Sequence, residues 1–430
     1  MTFNLWPSNS LRTSLVFIGG SVCWGLYRDQ SSQYVTQLQR FIDASANVAT
    51  YLNSWPVRVT HADDWQSGAD ADHGAFNAGD ISNYGIGSSS EKMKPVGGYN
   101  TPLNKPFGIF GGHTGSQSGA TWHDPGVSLL PSNCTLRIYV PTISPNWTNA
   151  PTYLFVGASC TSGSGSLDVW GWGNGTHLGT INYINNPGSI AQYYTSWTDP
   201  QTAGPWILDL VNSSGYDVYL HYVIPTRGQA TRHIQTQVVA RDSYNLQDYL
   251  GNSFMPDGSW LPTAKLIGQS VFNAVSGYST APIYVIFDSY NSMVQVGAPS
   301  SGWADRRLSS AEYKQQVRAF AKALIAYSPS GLQGSPRIIL TNPVAPYVVG
   351  STTSEFGAGG DLAWLTNESS STYGSALSAL ATDESWSYMD QNDAQWGTNL
   401  VSTDWESDGI HPKQSGVDKI AQKWKAYFGL

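Results

Sequence analysis

The chain opens on a short apolar run, Ser14 to Gly19 (SLVFIG), that stops at Gly19-Gly20-Ser21. From about Asp29 to Leu52 the apolar positions Tyr34, Leu38, Phe41, Ile42, Val48 and Leu52 fall at helical spacing. Together these predict strand, tight turn, helix. Far downstream, Ala281 to Asp288 (APIYVIFD) is a continuous apolar run suited to a parallel strand covered on both faces, and Leu308 to Tyr327 has the spacing of an amphipathic helix. The pattern then repeats. Arg337 to Leu340 (RIIL) reads as another buried strand ended by Thr-Asn-Pro, and Gln414 to Phe428 places Val417, Ile420, Trp424 and Phe428 on one helical face. Strands alternating with helices predict an α/β fold with a parallel sheet and right-handed crossovers.

Between these halves the rhythm changes. The runs Leu136–Val140, Tyr153–Val156, Leu167–Trp172, Ile207–Leu210 and Val218–Val223 are short and β-rich, and Gly, Asn, Ser and Pro turns separate them. An all-β sandwich is expected over residues 97–226, inserted into one α/β domain whose two parts are residues 1–96 and 227–430. No repeat of fixed period is visible.

Composition narrows the function. Only 12% of the 430 residues are charged while 13% are aromatic, with 44 Gly and 17 Trp, a balance expected of a β-rich protein that works outside cells. The net charge of −8 and the scattered Lys and Arg argue against nucleic acid, which requires a concentrated basic face. No stretch reaches the roughly 18 apolar residues of a membrane span, so no membrane insertion is expected. The opening MTFNLWPSNS has neither the basic nor the apolar region of a signal peptide. Cys23, Cys134 and Cys160 form no disulfide framework and no zinc spacing; whether Cys134 and Cys160 pair stays open. His61, His73, His113 and His123 lie among Asp63, Asp64, Asp70, Asp72 and Asp124, but at no ligand spacing, and no metal is expected.

Two segments carry chemistry. A serine at a strand-to-helix turn presents its hydroxyl beside backbone N–H groups that can stabilise an oxyanion, and Ser21 sits at such a turn. Its surroundings are not the Gly-x-Ser-x-Gly elbow, because residue 23 is Cys. The second segment is Ser407-Asp408-Gly409-Ile410-His411-Pro412, directly before the last helical pattern. A nucleophilic serine requires a base, and the base a carboxylate that fixes its tautomer; Asp408 and His411 supply both from one stiffened loop.

The first-strand Gly-x-Ser, the Asp-x-x-His-Pro before the last helix, and their placement at opposite ends of the chain resemble the SGNH/GDSL hydrolases. The resemblance covers roughly residues 12–90 and 230–430. It implies a flavodoxin-like three-layer fold around a five-stranded parallel sheet, here carrying the carbohydrate-binding-module-like sandwich. The family's first block usually reads Gly-Asp-Ser, and Gly20 stands here in place of the Asp. By the same resemblance Ser21, Asp408 and His411 form the triad. Asn291, in Ser289-Tyr290-Asn291-Ser292, is the amide donor of the oxyanion hole, and the N–H of Ser21 is another. The further backbone donor is Ser243, in Arg241-Asp242-Ser243-Tyr244-Asn245, with Gly68 as the alternative.

The expected activity is removal of O-acetyl or similar short acyl groups from a polysaccharide through an acyl-enzyme, with no cofactor. Trp170 and Trp172 are the candidate sugar-stacking residues, ahead of Trp147 and Trp206. The layout resembles a bacteriophage tail-spike or tail-fibre deacetylase, which implies an extracellular or virion-associated setting and a homotrimer or other virion proteins as partners. Two rival readings are a polysaccharide O-acyltransferase with the same triad and a glycan-binding structural protein whose site has decayed.

Overall fold

A computed structural model of the chain describes residues 2–6, 12–24, 34–45, 57–58, 93–95, 128–130, 135–140, 153–160, 163–171, 176–185, 191–198, 206–226, 233–240, 245–254, 260–271, 280–286, 292, 307–344, 368–406, 409 and 411–430. The first strand, β1 (Arg12–Gly19), begins two residues before the predicted run. Leu15, Val16, Phe17 and Ile18 are all buried, because a strand covered on both faces hides consecutive side chains. Helix α1 (Ser21–Trp24) follows across a single residue, and α2 (Tyr34–Asp43) comes next. The helix expected to reach Leu52 closes at Asp43; Val48 and Leu52 lie outside the described residues.

In the middle of the chain the described elements are strands: β2 (Val57–Arg58), β3 (Met93–Pro95), β4 (Ser128–Leu130), β5 (Thr135–Val140), β6 (Tyr153–Cys160), β7 (Gly165–Gly171), β8 (Thr176–Ile184), β9 (Ala191–Ser196), β10 (Trp206–Asn212) and β11 (Val218–Thr226). Of these, β2 joins the parallel sheet described below. The others form two antiparallel sheets, of order β3-β5-β10-β7-β8 and β4-β11-β6-β9. Strand β7 alternates buried Leu167 and Val169 with outward Asp168 and Trp170, as a half-covered strand must. Strand β6 is buried almost end to end, and its Phe155 belongs to the same apolar cluster as Phe17 of β1. Cys160 is a buried thiol that donates to the Asp217 carbonyl at 3.4 Å, whereas Cys134 lies outside the described residues.

Alternation of strand and helix then resumes with β12 (His233–Ala240), α3 (Leu246–Leu250), the hairpin β13 (Asn252–Phe254) and β14 (Trp260–Pro262), α4 (Thr263–Ser270), β15 (Ile283–Ile286), α5 (Ser310–Tyr327), β16 (Arg337–Thr341), α6 (Ser370–Glu384), β17 (Ser387–Met389) and α7 (Gln414–Phe428). The parallel sheet has the order β17-β16-β15-β1-β12-β2. Without the two-residue β2, this is a doubly wound order whose direction of winding reverses between β1 and β15, where such sheets open a crevice at their carboxyl edge. Helix α2 packs on α7, and α5 packs on α4 and α6. No helix among the described residues is long and apolar enough to cross a membrane.

An aromatic joint ties the last helix to the first strand. Trp424 of α7 is fully buried and meets Phe17 of β1 edge-on, with centroids 5.2 Å apart, and Phe17 meets Tyr34 of α2 in the same way at 5.8 Å. Helix α2 is stitched to β12 by one buried amide: Gln39 donates to the Ile234 carbonyl at 3.0 Å and accepts from the Thr236 N–H at 2.7 Å and hydroxyl at 2.8 Å. The entry to α7 is pinned in turn. Asp404, 3% exposed, accepts from the Val401 N–H at 2.8 Å and the Ser415 hydroxyl at 2.7 Å, and pairs with the Lys419 ammonium. Burial pushes its carboxyl up, but the Lys419, Val401 and Ser415 hydrogen bonds and the Lys419 charge outweigh it and hold it below the ordinary carboxylate value.

Two stability predictions follow from these contacts. Trp424→Ala should cost about 3–5 kcal/mol, the range for deleting a large buried aromatic; urea unfolding reads it, and a loss under about 1 kcal/mol would remove the joint as an organising contact. Asp404→Asn should lower the unfolding midpoint at neutral pH. A depressed carboxyl stabilises the fold above the unfolded value near ~3.9 and loses that contribution as pH falls through its folded value. The gap between parent and variant should therefore be flat above about pH 5 and shrink below about pH 4. A gap that grows on acidification would contradict the assignment.

Candidate active site

Ser21 is the first residue of α1, two residues past the carboxyl end of β1 and beside the reversal point of the parallel sheet. His411 belongs to a closed loop that leads into α7. Trp405 and Pro412 form an antiparallel bridge, the Glu406 N–H donates to the His411 carbonyl at 2.8 Å, and the Gly409 N–H donates to the Glu406 carbonyl at 3.0 Å. Gly409 has φ of +72°, a left-handed conformation that glycine adopts without strain. The loop thus closes on itself, and His411 is only 6% exposed.

Phe17 lies four residues before Ser21 and two before the end of β1. Trp424 lies ten residues past Gln414, roughly 15 Å down a helix. Their contact ties the strand that leads into Ser21 to the helix that follows His411.

The neighbouring segments are anchored from below. Tyr249 of α3, 2% exposed, shares its hydroxyl proton between the carbonyls of Gly19 at 2.8 Å and Val239 at 3.2 Å, which fixes the ends of β1 and β12 against each other. Asn245 caps α3. Its side chain accepts from the Gln247 N–H at 2.9 Å, and Asp248 accepts from the Asn245 N–H at 2.9 Å. Residue 292 is the first described residue beyond β15. Ser292 is fully buried; its hydroxyl accepts from the Leu246 N–H at 3.1 Å, and its carbonyl accepts from the Leu308 N–H at 2.7 Å and the Tyr373 hydroxyl at 3.2 Å. One hydrogen bond therefore couples the segment after β12 to the segment after β15.

Among the sequence-derived candidates, the described residues include Ser21, at the start of α1, and His411, in the loop before α7. Asp408, Asn291, Ser243, Gly68 and Trp172 lie outside the described residues, as do Trp147, His61, His73, His113 and His123. Trp170 stands on the outward side of the sandwich, 36% exposed and 4.9 Å from His177. Among the described residues no group of three or more His, Cys, Asp or Glu could hold a metal ion. Sequence reading passed over Tyr249, Ser292, Asp404 and Trp424 as positioning residues. The Asn245-x-x-Asp248 spacing was a legible cap signal; Tyr249 and Ser292 act across the fold and leave no local mark.

No family model and no curated protein matches the chain. Solved structures do. One described as "Peptidoglycan O-acetylesterase in action, 5 min" is similar over 96% of this chain and 89% of its own, with TM-score 0.50 and 9% identity. A family two carbohydrate esterase from Cellvibrio japonicus matches over 70% of this chain and 91% of its own at TM-score 0.26 and 12% identity. The module CsCBM6-3 from Clostridium stercorarium, solved with cellobiose, matches over 23% of this chain and 71% of its own at TM-score 0.19 and 17% identity. The last two scores are too low to carry an argument; the first establishes a shared fold.

Proposed function

We propose that the protein is a serine esterase that removes O-acetyl or similar short acyl groups from a polysaccharide. The observation that carries this reading is that Ser21 follows β1 beside the reversal point of a doubly wound sheet, that His411 is buried in the loop leading into α7, and that Phe17 and Trp424 join these two elements. The fold shared with the peptidoglycan O-acetylesterase supports it. In this reading His411 takes the proton of Ser21 as its hydroxyl attacks the ester carbonyl, and Asp408 fixes the imidazole and stabilises its cation. The N–H of Ser21, the N–H of Ser243 and the amide of Asn291 hold the tetrahedral oxyanion, and water then cleaves the acyl-enzyme. The reading includes an extracellular or virion-borne setting, where acylated polysaccharides are met.

Acetate release from a panel of O-acetylated bacterial polysaccharides tests the substrate class, and a small aryl acetate tests the chemistry. Ser21→Ala and His411→Ala should each lower aryl acetate turnover by about 10⁴–10⁶, since members of a triad act as a unit; activity within tenfold of the parent would end the triad assignment. Asn291→Ala should lower kcat by about 10²–10³ with little change in KM, the usual loss of one oxyanion donor. An unchanged kcat would reduce Ser-Tyr-Asn-Ser to a turn.

A further inference from the structure

The outward side of β7 and β8 gathers polar and aromatic groups for which the esterase chemistry has no use. Ser166, Asp168 and Trp170 alternate with the buried Leu167 and Val169, so all three stand on the side of the sheet away from the sandwich core. Across the ladder, Trp170 pairs with His177 and Asp168 with Thr180. Asp168 Oδ1 accepts the Thr180 hydroxyl at 2.7 Å and lies 3.4 Å from His177 Nε2, which is itself 3.2 Å from the Thr180 hydroxyl. The same carboxylate is hydrogen-bonded to Ser213, whose hydroxyl is 3.4 Å from that of Ser166. The carboxylate thus organises a row of hydroxyls along the strand. His177 lies against Trp170 with rings tilted by 59°, and so props a ring that remains 36% exposed.

Backbone irregularity is concentrated at the same place. The β7–β8 pairing breaks register twice, between Gly165 and Leu167 and between Val169 and Trp170, so the Asp168–Thr180 pair sits between two bulges. Bulges recur where a strand re-aims a side chain toward a ligand. At the first bulge Asn182 and Tyr183 stand between the inward-pointing Ile181 and Ile184. Tyr183 has φ of +62° and is 78% exposed. A bulky residue in the left-handed region is strained, and here the strain is spent holding an aromatic ring in water.

We propose that this strip is a binding site for a neutral glycan chain, with Trp170 as the stacking platform at one end, Tyr183 at the other, and the hydroxyls of Ser166, Thr180 and Ser213 between them. From Ser166 to Trp170 the strand covers roughly 13 Å, which suits an oligosaccharide rather than a single ring. Aromatic faces take the apolar faces of pyranose rings, while hydroxyls and a fixed carboxylate bond their edges. Among the described residues of the strip there is no Lys or Arg, and the Asp168 carboxylate opposes a uronate; hence a neutral chain. The proposal extends the sugar-stacking expectation for Trp170 to a defined site, and it is separate from the ester-cleaving triad, since it uses none of Ser21, Asp408 and His411.

Titration calorimetry on the full chain carrying Ser21→Ala tests it, with cellohexaose, xylohexaose, N-acetylchitohexaose and glucose as probes. At least one hexasaccharide should bind saturably while glucose does not. Trp170→Ala should weaken that binding about tenfold or more, the scale of one lost aromatic stack, and Trp170→Phe should restore most of it. Tyr183→Gly should weaken binding to a similar degree and yet raise the melting temperature, because glycine relieves the left-handed strain. That opposition of affinity and stability is a result that misfolding cannot produce. Absence of binding to all three hexasaccharides, or binding that survives either Trp170→Ala or Tyr183→Gly, overturns the proposal. Binding without ester hydrolysis in the Ser21 parent would leave it standing while the esterase reading fell.

Discussion

The contact between Phe17 and Trp424 is the constraint on which the candidate site depends. These residues lie near opposite ends of the sequence, and between them the chain passes through two antiparallel sheets and most of a parallel one. Local hydrogen bonds shape the loop that holds His411, and larger elements carry that loop and Ser21. Each is set by an element, β1 in one case and α7 in the other, and the elements are set by the buried ring pair and by Tyr34 behind it. The polar contacts near the site fix local geometry on this frame: Tyr249 beneath the ends of β1 and β12, Ser292 between two loops, Asp404 at the entry to α7. A buried polar group contributes most where its partners are already held in place, so these hydrogen bonds gain value from the aromatic frame.

How much of this could be read beforehand varied with the physical signal. The runs at β1, β15 and β16 were legible because a doubly covered strand hides consecutive apolar residues, and α5 and α7 because their apolar stripes are regular. Strands β8 and β9 left little trace: they are mostly half-buried or exposed, and β8 (THLGTINYI) bends through two bulges that break the alternation of a strand. Helix α6 hides Tyr373, Leu377, Leu380 and Ala381 at good helical spacing, but among enough Ser, Thr and Gly to resemble a loop. At the site, the Gly-Gly-Ser and Asp-x-x-His strings were visible because each is local in sequence. Tyr249 was not, since the carbonyl of Gly19 that it grips is 230 residues away in sequence.

The two halves of the chain are less separate than the change in sequence rhythm suggests. Phe155 of β6 is buried in the same apolar cluster as β1, β15 and the helices around them, and β6 is covered on both faces, unlike a strand with one side in water. Strand β7, by contrast, keeps the alternation of an open face. Strand β6 of one sheet therefore packs into the α/β core, while β7 of the other keeps an open face that carries the polar-aromatic strip.

The bulges between β7 and β8 have an effect beyond that strip. Strand β8 closes one edge of its sheet, and β9 closes the neighbouring edge of the other. A straight strand in such a position offers a row of unpaired amides and carbonyls to any other chain, the geometry from which edge-to-edge aggregation starts. Two register breaks twist β8 out of that template, and Gly179, having no side chain, lets Thr195 of β9 close in against it. The irregularity that shapes the outward face thus also keeps an aromatic-rich, weakly charged protein from adding a foreign strand to its sandwich.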